Sequence, residues 1–482
     1  MAGRAIGPEA ARGRWLIGLA AMFVLFAVLH PIDHDESQYV AAAVLGAHGY
    51  LPYRDYAYLQ TPLQPLAFAP IAWAAGAFAW PALRLVNALL GTCIVGCVWR
   101  AAREAGAGPR AALAAAGLLA GCDILLFSIA TARNDALPAA LLSLALIPIA
   151  RAERGTGTRG GAVLIGLLLA GAAAAKLSYA IPAAVYGLYA LVDRRHRPLA
   201  VLIGALPPLA LVAWSWVLAP DAFLFGTLRF PALAPAEYYA ARPWKLSLPA
   251  KAIDTLKFLA LGPALFALVV VRRQLARPRL FAWLTIAGLV AALLPEPSWR
   301  QYLLPLLPPA FVLLALEWQR AWPGRAVRAT ALVFLLAGVA PTVIAWATTR
   351  GANSLPVAID EGQRIRRALD AAGVDGPVAT LSPQFLAATG RLPDLRFATG
   401  PFYFRSHALL SPADEARLQL VSADRLALLD RAPPVAILVG GEGAWTSGDD
   451  RLDATLERWA RARPYRAVAI DSARFRLYVS AP

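Results

Sequence analysis

The sequence predicts a mainly α-helical fold: a polytopic membrane helix bundle of about eleven spans plus juxtamembrane helices, with a small C-terminal α/β domain. Of its 482 residues, 59% are hydrophobic and only 16% are charged, whereas an average globular domain has roughly 25% charged residues. Apolar runs long enough to cross a bilayer follow one another up to residue 348. After that the composition becomes that of a soluble protein. We therefore predict a transmembrane domain at 1–349 and a soluble domain at 350–482.

Basic residues outnumber acidic ones by 46 to 30, which gives a net charge of +16. Such an excess can indicate a nucleic-acid partner, but here the basic residues lie mostly in short gaps between apolar runs. This is the pattern of cytoplasmic loops between membrane spans. The sequence therefore predicts the lipid bilayer as a partner and no nucleic acid.

The first apolar run follows Arg4, Arg12 and Arg14, and no small-residue cleavage site comes directly after it. It predicts an uncleaved first span with the N-terminus in the cytoplasm. The later runs have the length and composition of further spans. The predicted spans are 15–31, 82–99, 111–129, 136–150, 161–175, 177–192, 198–219, 252–271, 279–295, 301–318 and 327–348.

The segment 62–80 is equally apolar, and the charge of the later loops decides its place. If it crosses the membrane, every Arg-rich connector after it lies outside the cell. If it lies along the interface, all of them are cytoplasmic, as the positive-inside tendency prefers. Pro62, Pro65 and Pro70 also favour a broken, interfacial helix, so we predict a juxtamembrane helix here. The connectors in question are 100–110, 151–159, 194–197, 272–279 and 320–328.

The same count of spans places a second set of loops together on the extracytoplasmic face, and the C-terminal domain with them. The polar residues that can react are concentrated in these loops, whereas the inner loops are short and merely basic. We therefore expect any chemistry to occur on the outer side. The outer loops are 32–61, the residues around Asp135, the turn at Lys176, 220–250 and 296–302.

Helical and strand patterns alternate after residue 350, which is typical of a small α/β domain. Gly440, Gly441 and Gly443 follow a predicted strand, but they lack the full spacing of a dinucleotide-binding loop, so they predict a turn. The predicted helices are 358–372, 412–431 and 450–463, and the predicted strands are 377–381, 435–441 and a terminal hairpin at 466–480.

An acidic cluster, Asp33, His34, Asp35 and Glu36, directly follows the first span. A charge at mid-bilayer costs roughly 2.5–3.5 kcal/mol, which places this cluster outside the hydrocarbon. Adjacent carboxylates at a membrane surface can bind a divalent cation, act as a general base or bind sugar hydroxyls. They can also simply face water, and the residues alone leave these alternatives open.

A series of motifs begins at this cluster. The Asp-Glu pair and Tyr39 are followed by an amphipathic helix, the run Gly-Tyr-x-Pro-Tyr-x-Asp that ends at Asp55, and a Pro-Leu pair before an apolar helix. This order resembles the GT-C fold glycosyltransferases that use polyprenyl-phosphate-linked sugars, including protein O-mannosyltransferases and the aminoarabinose lipid A transferase. The resemblance implies that Asp35 is the first candidate for the catalytic carboxylate and that Glu36, beside it in the same motif, is a further catalytic candidate.

Three later motifs extend the resemblance. The run Ala132 to Asp135 implies that Asp135 helps to position the acceptor or the catalytic loop, although an Asp at a helix start is commonly a cap. Lys176 matches the family's Lys at the outer end of a span, so the resemblance implies that it binds the donor phosphate. A lone Lys at a span end can also extend its ammonium group to the membrane surface without any such role. Arg300 opens a segment similar to the family's Arg-Tyr-Leu-Leu-Pro, and a guanidinium can bind phosphate through two parallel hydrogen bonds.

The remaining candidates are substrate-binding residues in the same loops. Arg54 stands beside Asp55, and we interpret this pair first as a loop salt bridge. Gln60 and its neighbours depart from the family pattern, in which many relatives have Lys, and this shifts the predicted phosphate role to Lys176 and Arg300. The aromatic and basic residues of loop 220–250 are typical either of a loop that covers the active site or of one that anchors the protein at the membrane interface. The substrate-binding candidates are Asp33, Tyr39, Arg54, Asp55 and Tyr302.

The resemblance implies a hexosyl- or pentosyltransferase of the inner (plasma) membrane. Its donor is a polyprenyl-phosphate sugar, its acceptor a lipid, glycan or protein, and the transfer takes place at the extracytoplasmic face. No cofactor is predicted, and although Asp33 and Asp35 have D-x-D spacing, no metal is assigned. A transporter or flippase of lipid-linked glycan intermediates is the alternative, and it needs polar residues along the spans. A membrane scaffold without catalysis is a third reading.

Overall fold

Helices form most of the first 349 residues. The computed structural model describes residues 8–277, 279–406 and 409–481, and the predicted basic end at Arg4 lies outside them. The α-helices of this part are α1 Pro8–Leu29, α2 Glu36–Ala47, α3 Leu63–Ala75, α4 Ala79–Glu104, α5 Pro109–Ala120, α6 Asp123–Ala130, α7 Ala136–Glu153, α8 Arg159–Ala175, α9 Ala180–Val192, α10 Pro198–Leu218, α11 Pro220–Leu224, α12 Phe230–Tyr238, α13 Leu248–Ala260, α14 Pro263–Leu275, α15 Leu280–Leu293, α16 Leu307–Arg320 and α17 Arg325–Thr349. Short 3-10 helices are Gly76–Phe78, Leu177–Tyr179, Arg194–His196, Pro243–Leu246 and Arg300–Leu306, and Phe225–Arg229 is a π-helix.

Each predicted span coincides with a helix or with a bent pair of helices. Within the described residues, five helical stretches are long and apolar enough to cross a membrane, or up to seven if each bent pair is one span. The bent pairs are α5 with α6, at 61°, and α13 with α14, at 97°. Shorter apolar helices occupy the places of the other predicted spans. The exact number of spans stays a prediction.

Helix α3, in the ambiguous segment 62–80, begins and ends near the acidic cluster. It starts just after Gln60, which accepts a hydrogen bond from Asn134 at 3.2 Å. It ends at Gly76, whose φ of +53° turns the chain, and Trp80 in the first turn of α4 donates to Glu36 at 3.1 Å. Helices α3 and α4 together form one helical stretch, Leu63–Glu104, that is long and apolar enough to cross a membrane, so the juxtamembrane course of α3 stays a prediction.

The Arg-rich connectors also gather at one place. A cavity of about 320 Å³ is lined by Glu104, Arg151 and Arg195, which come from three different predicted inner loops. Arg151 donates to Glu104 at 2.9 Å, and the backbone N–H of Gly108 donates to Gln319 at 2.7 Å. The connectors therefore lie together, as the count of spans predicts, while their cytoplasmic location stays a prediction.

Small residues allow α8 and α10 to cross in close contact. Gly166 of α8 lies directly against the Val201 carbonyl, and Gly204 of α10 lies against the Val163 carbonyl, so that a Cβ atom at either glycine would overlap the facing backbone. Close backbone approach through small residues is a usual way of packing helices in membranes, where association depends on van der Waals contact. The crossing joins α10 to the helix that ends directly before Lys176.

The C-terminal part contains a four-stranded sheet flanked by helices. The strand order is β1-β2-β4-β3, with β1 parallel to β2 and the other neighbours antiparallel. The predicted helix at 412–431 is instead α20 followed by a 3-10 segment, Ala423–Arg431, broken at Arg425. The elements are α18 Leu355–Ala371, α19 Pro401–Phe404, α20 Pro412–Arg417, α21 Asp450–Arg461, β1 Val378–Ala379, β2 Ala436–Val439, β3 Tyr465–Val468 and β4 Arg476–Ser480.

This sheet packs against the helices around the acidic cluster. One buried apolar cluster includes Ile32 and Trp80 from the first part of the chain and Val378 and Phe385 from the second. The rings of Trp80 and Phe385 lie 5.1 Å apart in an edge-to-face arrangement, which adds to the stabilisation from burial. The C-terminal part is therefore held directly above the loops that carry the acidic residues.

The α8–α10 crossing yields the first prediction. Gly166→Val should lower the free energy of unfolding by about 1–3 kcal/mol or more, because the added side chain overlaps a facing backbone that cannot yield cheaply. Gly187→Val in α9 is the matched control, since a Cβ there meets nothing within 4 Å. Thermal unfolding of both variants in detergent provides the measurement, and equal melting temperatures would contradict the packing.

Candidate functional site

A cavity of about 780 Å³ collects residues from every predicted outer loop. Its wall includes Asp33 and Asp35 from the acidic cluster, Lys176 after α8 and Arg300 after α15. Loop 220–250 also lines it, so of the two readings of this loop the structure favours the one in which it covers the site. Further lining residues are His30, His34, Tyr39, Gln60, Phe127, Arg133, Tyr238, Tyr239, Arg242, Lys245, Lys257, Trp299, Tyr302, Phe402, Arg405 and Ser447.

Glu36 does not line this cavity and is fully buried beneath it. Arg84 of α4 forms an ion pair with its carboxylate, and neither side chain has any exposed surface. The carboxylate also accepts from Trp80 at 3.1 Å and from the backbone N–H of Ala132 at 2.7 Å. These contacts tie α2, α4 and the loop before α7 together. The position therefore favours a structural role for Glu36 in place of the predicted catalytic one.

Arg84 stabilises the end of the first span as well. Its guanidinium donates to the backbone carbonyls of Ala27 at 2.9 Å, His30 at 3.0 Å and Pro31 at 3.2 Å. The last carbonyls of a helix have no partner within the helix, so Arg84 satisfies groups that α1 leaves open. The acidic cluster that follows is thereby fixed relative to α4.

Arg133 joins three carboxylates at the cavity wall. It forms an ion pair with Asp35, approaches Asp33 at 3.5 Å, and donates through Nε to Asp135 at 3.3 Å. Lys176 forms an ion pair with the other oxygen of Asp135. Asp135 makes no capping hydrogen bond at the start of α7, and Lys176 is buried, so neither the cap nor the snorkelling alternative describes these residues.

The protonation of the acidic pair follows from these neighbours. Burial alone would raise the pKa of Asp35, but the Arg133 charge and the His34 hydrogen bond outweigh it and lower this pKa well below its usual range. Burial and the charge of Asp35 raise the pKa of Asp33. Asp35 is therefore firmly ionised, while Asp33 takes up a proton more readily.

Arg300 lies on the face of Phe127, with its guanidinium carbon 3.8 Å from the ring centre. It donates through Nη1 to both carboxylate oxygens of Asp123 at 3.1 Å. Arg133 approaches the same ring at 5.4 Å, which brings the two guanidinium groups to one aromatic side chain. Stacking of this kind holds a guanidinium in a fixed orientation while leaving it charged.

The other substrate-binding candidates divide between the cavity and the surface. Tyr39 and Tyr302 line the cavity, and the Lys176 ammonium lies 5.3 Å from the Tyr302 ring. Arg54 and Asp55 lie outside it and form a salt bridge at 2.6 Å, as the first interpretation of this pair predicts. The predicted substrate role of Arg54 and Asp55 is not supported by this position.

A basic and aromatic rim surrounds part of the opening. Arg405 lies 4.1 Å from the centre of the Tyr238 ring and 5.1 Å from that of Phe402. Arg242 lies 5.7 Å from the Tyr239 ring. Because Phe402 and Arg405 follow the first strand of the C-terminal sheet, the C-terminal part supplies a section of the cavity wall.

The carboxylates of the acidic cluster, which have the spacing of a cation site, already contact positive groups of the protein. Ligand atoms of Asp33, His34 and Asp35 lie within 4.8 Å of one another. However, Arg133 contacts both carboxylates and His34 contacts Asp35. A cation would have to displace these positive groups, so we assign no metal to the site.

Residues that the sequence reading left unassigned complete the site. Arg133 stands in the quoted motif, next to Asp135, and its neighbours could have identified it. Arg84 lies in a predicted span, where a single Arg indicates a buried partner without indicating which one. Glu442 forms an ion pair with His34 at 3.3 Å from 408 residues away, and no local pattern points to that contact.

Comparison with solved structures finds membrane-protein neighbours of similar fold. The apo structure of ArnT from Cupriavidus metallidurans has a TM-score of 0.60 and 15% identity, over 98% of this chain and 100% of that one. Its complex with undecaprenyl phosphate has a TM-score of 0.58 and 16% identity, over 98% and 99%. The oligosaccharyltransferase of Archaeoglobus fulgidus in the apo form gives 0.49 and 14%, over 97% and 74%. No protein-family model and no curated protein matches the sequence.

The similarity to ArnT extends over the whole length of both chains. At this level of identity it shows a shared fold, which is the GT-C fold. The predicted GT-C helical fold is therefore confirmed, while the number of spans, the assignment of a separate C-terminal α/β domain and the roles of the individual site residues stay predictions.

The buried pair of Glu36 and Arg84 gives the second prediction. Glu36→Gln should lower the free energy of unfolding by about 3–5 kcal/mol, because it leaves the Arg84 charge buried without its counter-charge. The double change Glu36→Gln with Arg84→Met should cost less than the sum of the single changes. Asp55→Asn, at the exposed salt bridge, is the control and should cost at most about 1 kcal/mol. Denaturation in detergent measures the stability of the two single variants Glu36→Gln and Arg84→Met, the double variant and the control. Additive effects of the two single changes would contradict the pairing.

Proposed function

We propose that this chain is a membrane glycosyltransferase that takes a sugar from a polyprenyl-phosphate donor and transfers it to an acceptor at the extracytoplasmic face. One observation carries the proposal: a single cavity collects the acidic pair, Lys176 and Arg300 in a chain that has the GT-C fold. ArnT from Cupriavidus metallidurans, which shares this fold, has been seen bound to undecaprenyl phosphate. This supports a polyprenyl-phosphate donor here.

The proposed reaction is a direct displacement at the anomeric carbon of the sugar. The acceptor hydroxyl oxygen forms a bond to this carbon, and the bond from the carbon to the phosphate oxygen breaks. The polyprenyl phosphate leaves with the bonding electrons, and the hydroxyl proton passes to Asp35. Because attack and departure take place on opposite faces, the anomeric configuration inverts.

Asp35 suits a proton transfer that takes place late in the reaction. Its ion pair with Arg133 keeps it ionised and lowers its pKa, so it is a weak base toward a free alcohol. Once the acceptor oxygen has begun to bond to the anomeric carbon, its proton becomes strongly acidic and a weak base suffices. Arg133 in this account keeps the carboxylate ionised and oriented between turnovers.

Lys176 and Arg300 are the proposed ligands of the donor phosphate. A leaving phosphate gains negative charge, and fixed cations that face it lower the barrier. Lys176 has three N–H donors, so it can keep its ion pair with Asp135 and still bind a phosphate oxygen. Arg300 engages Asp123 through Nη1, and its side chain remains 30% exposed at the cavity.

The rim around Arg405 and Tyr238 is the proposed entrance for the acceptor, which is a lipid, a glycan or a protein, and the sugar is a hexose or a pentose. We place the chain in the inner (plasma) membrane as a multi-pass protein. The N-terminus then lies in the cytoplasm, and the soluble domain 350–482 lies outside. The gathering of the Arg-rich connectors away from the cavity supports this orientation.

Asp35→Asn is the direct test of the catalytic assignment. We expect turnover to fall by roughly 10²–10⁴-fold, since a positioned general base contributes about that much. Purified protein in lipid is given a panel of polyprenyl-phosphate sugars, and release of polyprenyl phosphate is measured. Asp55→Asn is the matched control, because its carboxylate lies outside the cavity, and it should keep wild-type turnover.

Two outcomes would contradict this assignment in different ways. Equal turnover by the wild type and Asp35→Asn would remove Asp35 from the chemistry. Movement of intact donor across the membrane by both proteins, without cleavage, would instead favour the flippase alternative.

A further inference from the structure

A loop of the C-terminal part, residues 440–449, reaches into the acidic cluster. The backbone N–H of His34 donates to the Thr446 carbonyl at 2.8 Å. The His34 side chain contacts Glu442 through Nδ1 at 3.3 Å, and Ser447 lines the cavity. Both the backbone and the side chain of His34 are therefore held by a segment more than 400 residues away.

The loop is built to hold Glu442 in place. Asp453 of α21 accepts the backbone N–H groups of Gly440 at 2.7 Å and Glu442 at 2.8 Å. The Thr446 hydroxyl donates to the Gly441 carbonyl at 2.7 Å. Gly440 has a φ of +114°, a conformation that favours glycine. These bonds fix the backbone from which the Glu442 side chain points.

Within the described residues, His34 is the one cationic side chain that forms an ion pair with the Glu442 carboxylate. Its side chain has no exposed surface, and within the described part of the chain its Oε1 has no hydrogen-bond partner. Its Oε2 faces His34 at 3.3 Å and the backbone N–H of Asp449 at 3.4 Å. A buried carboxylate is costly unless it is paired, so a charged contact with His34 explains why it is kept here.

His34 also contacts Asp35 through its other ring nitrogen. Its Nε2 lies 3.2 Å from Oδ1 of Asp35, while Arg133 binds the other oxygen, Oδ2. The two carboxylate oxygens are thus held by two different cations from two different directions. The orientation of Asp35 depends on both.

We propose that Glu442 is a positioning residue, which through His34 holds the Asp35 carboxylate in the orientation that the transfer requires. The C-terminal part then completes the active site and does more than cover it. This inference rests on the proposed function, since it concerns the same carboxylate.

Charged groups from four places surround His34 and the Asp35 carboxylate that it contacts. Asp33 and Asp35 come from its own loop, Glu442 from the C-terminal loop, Arg133 from the loop before α7 and Arg405 from the end of α19, while the Phe402 ring stacks on it at 6.4 Å. Burial lowers the pKa of His34, but its bonds to Asp35 and Glu442 raise it to about 10.

The sign of the pH dependence follows from this raised value. The contact is fully present near neutral pH and is lost as the pH rises through the pKa of folded His34. Removal of the Glu442 charge lowers that pKa, so Asp35 should lose its support at a lower pH.

The test compares the wild type with Glu442→Gln. We expect kcat for release of polyprenyl phosphate to fall roughly 10-fold or more, as for a misplaced catalytic group, with little change in KM. The basic limb of the pH profile should move to lower pH. Glu457→Gln is the control. Glu457 lies on α21, its carboxylate binds Arg476 at 2.8 Å, and it does not line the cavity. The pH profile of this variant should match that of the wild type.

A second readout does not depend on activity. The chain has five histidines, so ¹⁵N-histidine spectra in nanodiscs, assigned with His34→Gln, can follow the titration of His34. Glu442→Gln should lower its midpoint, and an unchanged midpoint with an unchanged pH profile would overturn the inference. If Glu442→Gln does not fold, Glu442→Asp, which keeps the charge but retracts it, should give an intermediate midpoint. Absence of turnover by the wild type would count against the proposed function, while the titration still decides the coupling.

Discussion

The site depends on one buried guanidinium, that of Arg133. It contacts Asp33 and Asp35 before α2 and Asp135 before α7, and Asp135 in turn binds Lys176 after α8. Charges taken out of water in this way are tolerated only when they neutralise one another. Each loop is therefore held at the cavity by the charges of the others, and the Arg133 charge keeps Asp35 ionised.

The helices and the sheet serve this arrangement from two sides. Below the cavity, Arg84 pairs with Glu36 and satisfies the last carbonyls of α1, which fixes the first loop. Above it, the C-terminal part packs on α2 to α4, and Phe385, which follows β1 in the chain, contacts Trp80. The cavity is therefore bounded by the helices on one side and by the C-terminal part on the other.

Much of this could be predicted from the sequence, because hydrophobic length and loop charge act locally. The helix positions and the gathering of the outer loops follow from such rules, whereas the choice of Asp35, Lys176 and Arg300 as site residues comes from the resemblance to the GT-C enzymes. The role of Glu36 could not, because nothing near it in sequence distinguishes a carboxylate that faces a cavity from one paired with Arg84. Glu442 was missed for the same reason, since its contact with His34 arises only when the C-terminal sheet docks.

The position of the donor phosphate tests the central claim most directly. A structure of the Asp35→Asn variant with a polyprenyl-phosphate sugar, solved by cryo-electron microscopy in nanodiscs, would show it. We expect the phosphate within hydrogen-bond distance of Arg300 or Lys176, with the anomeric carbon facing the side chain at position 35. A phosphate bound outside this cavity, or a sugar turned away from position 35, would contradict the account.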